Sequence, residues 1–141
     1  MTIKIPIEIV NLEDNSCHLF AGVIFNNDHK GSLVIDTGAS RTVFSYSHLK
    51  DIAENIRDAE NVRSTGIEAN MLKSKQAVIK LFRMGDLVIE DHEILLMDLD
   101  NINTVYETMG KKEIWGLLGG DFFSDYKANI DYFKKVLKLR I

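Results

Sequence analysis

Apolar and polar positions alternate from the start of the chain. Ile3, Ile5, Ile7 and Ile9 recur every second residue, the period of a half-buried strand. A second apolar run covers residues 19–25. Asn26-Asn27-Asp28-His29-Lys30-Gly31 follows with turn chemistry, so a hairpin is expected. Leu33-Val34-Ile35 is a third strand, apolar throughout, and it runs straight into Asp36-Thr37-Gly38-Ala39-Ser40. After the short apolar pair Val43-Phe44, the period changes. Leu49, Ile52, Ala53 and Ile56 recur at helical spacing, with Lys50, Asp51, Glu54 and Arg57 between them. With Ser45 or Ser47 as N-cap, the pattern predicts a helix over about 48–58.

Further along, Ala77, Ile79 and Leu81 alternate behind a polar stretch that contains Gly66, which predicts a long hairpin with its tip within 66–75. Met84-Gly85-Asp86 is a tight turn. Residues 87–89 and 94–97 are further strands. A short helix is expected over 103–109, ended by Gly110 as a C-cap. Residues 114–118 are strand-like and are interrupted by Gly119-Gly120-Asp121. One or two helical turns over 122–126 and two closing strands, 128–132 and 136–141, complete the pattern. The chain is thus mostly β with two or three short helices. No repeat, low-complexity segment or linker divides it, so residues 1–141 are read as a single domain.

Composition narrows the field. Hydrophobic residues make up 45% of the chain and charged residues 27%, enough for a packed core under a solvated surface. The net charge is −4, from 17 Lys+Arg against 21 Asp+Glu. Phosphate-binding surfaces usually need a basic excess or a basic stripe; the sequence displays neither, which argues against a nucleic-acid partner. Cys17 is the single cysteine, so no intrachain disulfide can form, and it is expected as a small apolar residue in or near the core. One thiol fits a reducing compartment. The N-terminus lacks the continuous apolar stretch of a secretion signal, and no run approaches the roughly 20 residues of a membrane helix. A cytoplasmic protein without membrane contact is expected.

The chemistry concentrates at Asp36. A carboxylate at the end of a buried strand is costly without partners. Thr37 could donate its hydroxyl, and Gly38 lets the backbone approach closely. The plain alternative is a turn aspartate that caps its own loop. Asp-Thr-Gly alone is weak evidence, arising by chance in about one chain in forty of this length. A second motif, Leu117-Leu118-Gly119, lies far away in sequence and could equally be an ordinary buried strand ending in a glycine turn. The remaining candidates point elsewhere. His18, His29, His48 and His92 lack metal-ligand spacing, no serine sits in a nucleophile-elbow pattern, and residues 116–120 lack the Lys-Ser/Thr of a phosphate loop. Neither a metal nor another cofactor is expected. Asp121 reads as a helix N-cap, and Trp115 as a core or pocket-lining residue.

The two motifs together resemble the retropepsin-like (clan AA) aspartic proteases, most closely the bacterial single-domain group, which inserts a helix after the active-site loop. The matching segments are Leu33-Val34-Ile35-Asp36-Thr37-Gly38-Ala39-Ser40 and Leu117-Leu118-Gly119-Gly120-Asp121-Phe122-Phe123, followed by the final strands. The resemblance spans about 7–141. It implies a closed β-barrel of the acid protease fold, one lobe per chain, and a homodimer in which two copies of Asp36 hydrolyse peptide bonds in a peptide or protein substrate. Thr37, Gly38, Ala39, Leu117, Leu118 and Gly119 would support the active-site loop. Gly66 and Ile67 would lie in the flap that closes over substrate. A homodimer of the same fold that binds peptides without cutting them is the alternative. One departure concerns the dimer brace. Retroviral enzymes place acidic residues after the triad and arginine after the late glycine, whereas this chain has Ser40-Arg41 and Gly120-Asp121. Arg41 could contact Asp121, or the two could be a surface pair. Alanine at position 39 has no hydroxyl to favour an ionised carboxylate, which implies a higher working pH than that of pepsin-like enzymes.

Overall fold

The computed structural model describes residues 1–12, 15–59 and 74–141. Among these residues, ten strands and three short helices follow one another as β1 (Thr2–Asn11), β2 (Cys17–Phe25), β3 (His29–Ile35), β4 (Val43–Ser45), α1 (Tyr46–Leu49), β5 (Glu54–Asp58), β6 (Lys75–Met84), β7 (Leu87–Met97), α2 (Asp100–Thr108), β8 (Gly116–Leu118), α3 (Gly120–Asp125), β9 (Asn129–Asp131) and β10 (Val136–Arg140). The strand order is β5-β6-β7-β4-β8-β3-β2-β1-β10-β9. A further pairing of β2 with β6, through Ile24↔Arg83 and Phe25↔Phe82, closes six of these strands into a barrel. This is the retropepsin-like fold expected from the two motifs.

Strand alternation explains the interior. In β3, Leu33 and Ile35 point into the barrel with Leu19, Ala21, Phe44, Leu96 and Leu118. Val34 points out and joins Phe20, Val43, Leu95 and Met97 in a second cluster beneath Tyr106 of α2. Both faces of β3 are therefore buried, and its run is apolar without interruption. Asn103 fastens α2 in place. Its side chain donates to the Ile114 carbonyl at 3.0 Å and accepts the Ile114 N–H at 2.6 Å, just ahead of β8. Asp98, for which the sequence offers no role, accepts the N–H of Asp100 at 2.9 Å where α2 begins.

β1 joins two sheets. Its first half pairs with β10 over Thr2–Pro6, and its second half with β2 over Ile7–Asn11. Pro6, which has no N–H to donate, stands where the partner changes. Ile7 donates instead to the Lys135 carbonyl at 3.0 Å.

The helix expected over 48–58 is the main correction. Only one turn, Tyr46–Leu49, is helical, and residues 54–58 form β5, paired antiparallel with β6. Leu49 is buried and Ile52 and Ala53 pack against the core, but Ile56 is exposed. Asn55, at φ 54°, lies in the left-handed region, and the β5–β6 register shifts there. Pairing with the β6 edge outweighs a weak helical periodicity. The closing strand of the expected hairpin is present as β6, with Lys75 already inside it and β5 as its neighbour. The expected tip, including Gly66 and Ile67, lies outside the described residues. The segments 87–89 and 94–97 form one strand, β7. Cys17 is a second correction: it is exposed at the start of β2 rather than near the core. No helix among the described residues is long and apolar enough to cross a membrane.

Candidate active site

Asp36 leaves the barrel where three strands meet. β3 runs parallel to β8, with Val34↔Leu117 and Ile35↔Leu118 in register, and β4 pairs antiparallel with the other edge of β8. The Asp36 N–H extends this ladder by donating to the Leu118 carbonyl at 2.9 Å. The chain then turns, and the Ala39 N–H donates to the Asp36 carbonyl at 3.2 Å. The carboxylate is held by the backbone: Gly38 N–H donates to Asp36 Oδ1 at 3.0 Å. A Cβ on Gly38 would lie 3.3 Å from the same oxygen and crowd it. Asp36 is half-buried, while Thr37 and Gly38 are exposed. The residue that steadies the carboxylate is thus Gly38, and the Thr37 side chain faces outward.

Leu117, Leu118 and Gly119 divide the work of supporting this loop. Leu118 fills the barrel interior. Leu117, half-buried on the opposite face, lines a depression with Asp36. Gly119 sits under the turn, where a Cβ would lie 2.6 Å from the backbone carbon and oxygen of Arg41 and 2.9 Å from the Ala39 carbonyl oxygen. No side chain fits there. The Ala39 carbonyl accepts the Gly120 N–H at 2.7 Å.

Thr42, which has no evident signal in the sequence, fixes the loop together with Asp121. Thr42 Oγ1 accepts the Gly119 N–H at 3.0 Å and donates to Asp121 Oδ1 at 2.8 Å. The same carboxylate oxygen accepts the N–H groups of Thr42 at 2.9 Å and of Phe122 at 2.8 Å. Asp121 is therefore an anchor within the first turn of α3, whose N-cap position is Gly119. Its second oxygen lies 3.9 Å from Arg41 Nε, and both side chains are more than a third exposed. That ion pair is a weak surface contact; the anchoring runs through Thr42.

The depression beside Asp36 has a volume of about 430 Å³. Val34 and Leu117 form its floor, Ile102 and Tyr106 reach it from α2, and Ile130 of β9 and Tyr132 of the β9–β10 turn border it. His18 Nδ1 and the Tyr106 hydroxyl are hydrogen-bonded at 2.6 Å. Burial raises the Tyr106 pKa above its usual value, and the negative charge of Asp36 adds to the rise. Neither His18 nor Tyr106 stands out in the sequence, because 88 positions separate them. Cys17 borders the same depression. Trp115 lies elsewhere, stacked between Phe25 and His48. No group of three or more His, Cys, Asp or Glu among the described residues could hold a metal ion.

Comparison with known proteins agrees with this architecture. The chain is similar in structure to a retropepsin-like aspartic protease from Rickettsia conorii (TM-score 0.53, 17% identity, covering 99% of this chain and 89% of that one). It is also similar to the retroviral protease-like domain of Ddi1 from Leishmania major (TM-score 0.52, 11% identity, 92% and 89%). A third likeness is to the EIAV protease complexed with the inhibitor HBY-793 (TM-score 0.50, 15% identity, 82% and 93%). A comparison with curated proteins finds no match. Residues 21–122 match the aspartyl protease family, and the chain belongs to that family.

Proposed function

We propose that the protein is an aspartic endopeptidase in which Asp36 from each of two identical subunits forms the catalytic dyad. The observation that carries this reading is the placement of Asp36. It is a half-buried carboxylate held by a backbone N–H, lining a depression of mixed apolar and polar side chains, on a loop braced from below by Gly119. One chain supplies one such carboxylate, and this hydrolysis needs two. The C-terminal edge of the sheet supports pairing with a second copy. β9 is the last strand in the order, Ile130 and Tyr132 border the depression that holds Asp36 and Thr37, and neighbouring Phe133 is 92% exposed.

Two carboxylates a few Å apart cannot both ionise, so the pair shares one proton and titrates as a unit. The ionised member takes a proton from a water molecule as its oxygen attacks the scissile carbonyl carbon. The protonated member hydrogen-bonds the carbonyl oxygen and stabilises the charge that develops there. The amine then leaves with a proton returned from the dyad, and the original state is restored. The outward-facing Thr37 hydroxyls bond across the two-fold axis and hold the two loops in register. The apolar floor of Val34 and Leu117 receives an apolar side chain of a peptide substrate.

The test is cleavage of an unstructured protein from about pH 3 to pH 8, the range around a shared-proton carboxylate pair. Wild type and Asp36→Asn are compared at concentrations where the measured mass is dimeric. Cleavage by the wild type and none by the variant is the expected result. Equal cleavage by both would remove Asp36 from the mechanism. Peptide binding by a wild-type dimer that cleaves nothing would favour a binding module.

A further inference from the structure

We propose that the outer face of the β1–β10–β9 sheet binds a small, multiply charged phosphate-type anion, either free or as part of a larger ligand. The sequence displays no basic stripe, but folding assembles a basic basin. Lys4, Lys127, Lys138 and Arg140, together with Thr2 and Asn129, line a concavity of about 360 Å³. Every one of these side chains can donate a hydrogen bond, and among the described residues no carboxylate lines the concavity. The whole chain carries a net charge of −4, so the concentration of cations is local.

Strand register shows that the fold does not require these charges. Lys4 lies directly opposite Lys138, Thr2 opposite Arg140, and Asn129 opposite Lys138. Like charges directly opposite one another in a sheet destabilise it. The packing of this sheet comes from its other face, where Ile3, Ile5, Leu137 and Leu139 are buried. Lys127 is a second, independent anomaly. It sits at φ 45°, where glycine or asparagine is less strained. Asp131 is the nearby counter-charge. It lies 3.9 Å from Lys138 Nζ but also accepts the Lys134 N–H at 2.8 Å, which holds it toward the β9–β10 turn. Among the described residues, Lys138 is thus the one lining cation with an ion-pair partner.

The shape favours a small ligand over a polymer. Three strands make a face roughly 10 Å across, and among the described residues no aromatic ring lines the basin for base stacking. An oxyanion with several charges would engage the Lys and Arg heads through charge-assisted hydrogen bonds, with Thr2 and Asn129 adding neutral donors. The basin also lies behind the active-site side of the sheet. Asn129 of β9 lines it, whereas Ile130 borders the depression around Asp36.

The experiment uses the full chain. Calorimetric titration and thermal unfolding are followed with inorganic phosphate and with pyrophosphate, against sodium chloride at matched ionic strength. Saturable binding and a rise in Tm, larger for pyrophosphate and absent for chloride, are expected. Lys4→Thr and Lys138→Thr are compared, and Lys4→Thr, which breaks no ion pair among the described residues, should raise the Tm of the anion-free protein at low salt, because a repulsion is relieved. Each should also weaken pyrophosphate binding about tenfold, the loss of one charge-assisted contact. An equal response to chloride, or variants that bind pyrophosphate as the wild type does, would overturn the proposal. Binding of a duplex oligonucleotide or of phosphatidylserine vesicles without any binding of pyrophosphate would overturn it too, and would point to a polymer or a membrane surface.

Discussion

Thr42 and Asp121 are joined twice, by the Thr42 N–H at 2.9 Å and by its hydroxyl at 2.8 Å, both donating to one carboxylate oxygen. Because that hydroxyl also accepts the Gly119 N–H at 3.0 Å, one side chain couples the exit of the Asp36 loop, the glycine beneath it and the start of α3. Thr42→Val keeps the shape and deletes the hydroxyl. It leaves the N–H of Gly119, a buried residue, without this partner. A loss of about 1–3 kcal/mol in unfolding free energy is expected, read from the denaturant midpoint. Thr42→Ser, which restores the hydroxyl, should recover most of it. An unchanged midpoint for Thr42→Val would show that the coupling carries no stability.

Adjacent glycines separate steric need from sequence habit. At Gly119 a Cβ would meet Arg41 backbone at 2.6 Å, whereas at Gly120 the nearest atom, the Ala39 carbonyl oxygen, is 3.5 Å away. Gly119→Ala should therefore displace the Asp36 loop and cost about 2–4 kcal/mol, in the range of severe steric substitutions. Gly120→Ala, at the start of α3, should be neutral or stabilising by up to about 1 kcal/mol. Thermal unfolding of the two variants side by side checks the contrast, and equal destabilisation would contradict it.

Much of this arrangement is legible in the sequence because it is local. The apolar lead Leu33-Val34-Ile35, the Asp36-Thr37-Gly38 turn and the Leu117-Leu118-Gly119 partner strand all announce themselves in short windows, and the structure brings them into register. What is not legible depends on distant pairing. Ile52 and Ile56 keep a helical spacing, yet residues 54–58 are recruited as a strand by the free edge of β6. Thr42 and Asp121 are 79 positions apart, and His18 and Tyr106 are 88 apart. No periodicity links such residues. The basic basin is invisible for the same reason. Lys4 and Lys138 come from opposite ends of the chain and face each other only once β1 and β10 pair.

Tyr106 sets a limit on alkaline stability. Burial, and then the Asp36 charge, raises its pKa in the folded protein, and burial together with Asp125 does the same for Tyr126. Below the usual tyrosine pKa of about 10, both rings are neutral in the folded and unfolded states, and stability does not depend on them. Above it the unfolded chain releases protons that the folded chain still binds, so stability falls as pH rises. Tyr106→Phe removes one of these two groups. Its unfolding free energy should decline less steeply than that of the wild type above about pH 10. At pH 7 it should be lower by about 1 kcal/mol, because the hydrogen bond with His18 is lost. Denaturant melts from pH 7 to pH 11 test both halves, and parallel pH profiles would remove Tyr106 as a source of the alkaline loss.

Ala39 offers a way to move the working pH without touching Asp36. Its N–H donates to the Asp36 carbonyl and its own carbonyl accepts the Gly120 N–H, so the backbone is committed on both sides and only the side chain is free to vary. Serine places a hydroxyl on the residue that directly follows Gly38, on the loop that cradles the carboxylate. A hydroxyl that donates to the ionised member of the proposed dyad stabilises it relative to the protonated form. Because the proposed mechanism requires one ionised carboxylate, the acid limb of the rate profile should move to lower pH in Ala39→Ser, while the alkaline limb moves the same way and narrows activity near neutrality. The backbone hydrogen bonds of the loop survive the substitution, so unfolding free energy should change by less than about 0.5 kcal/mol. Peptide cleavage measured across pH with both proteins decides the matter. A profile that stays in place would show that position 39 does not reach the dyad, and a shift toward higher pH would reverse the sign of the argument.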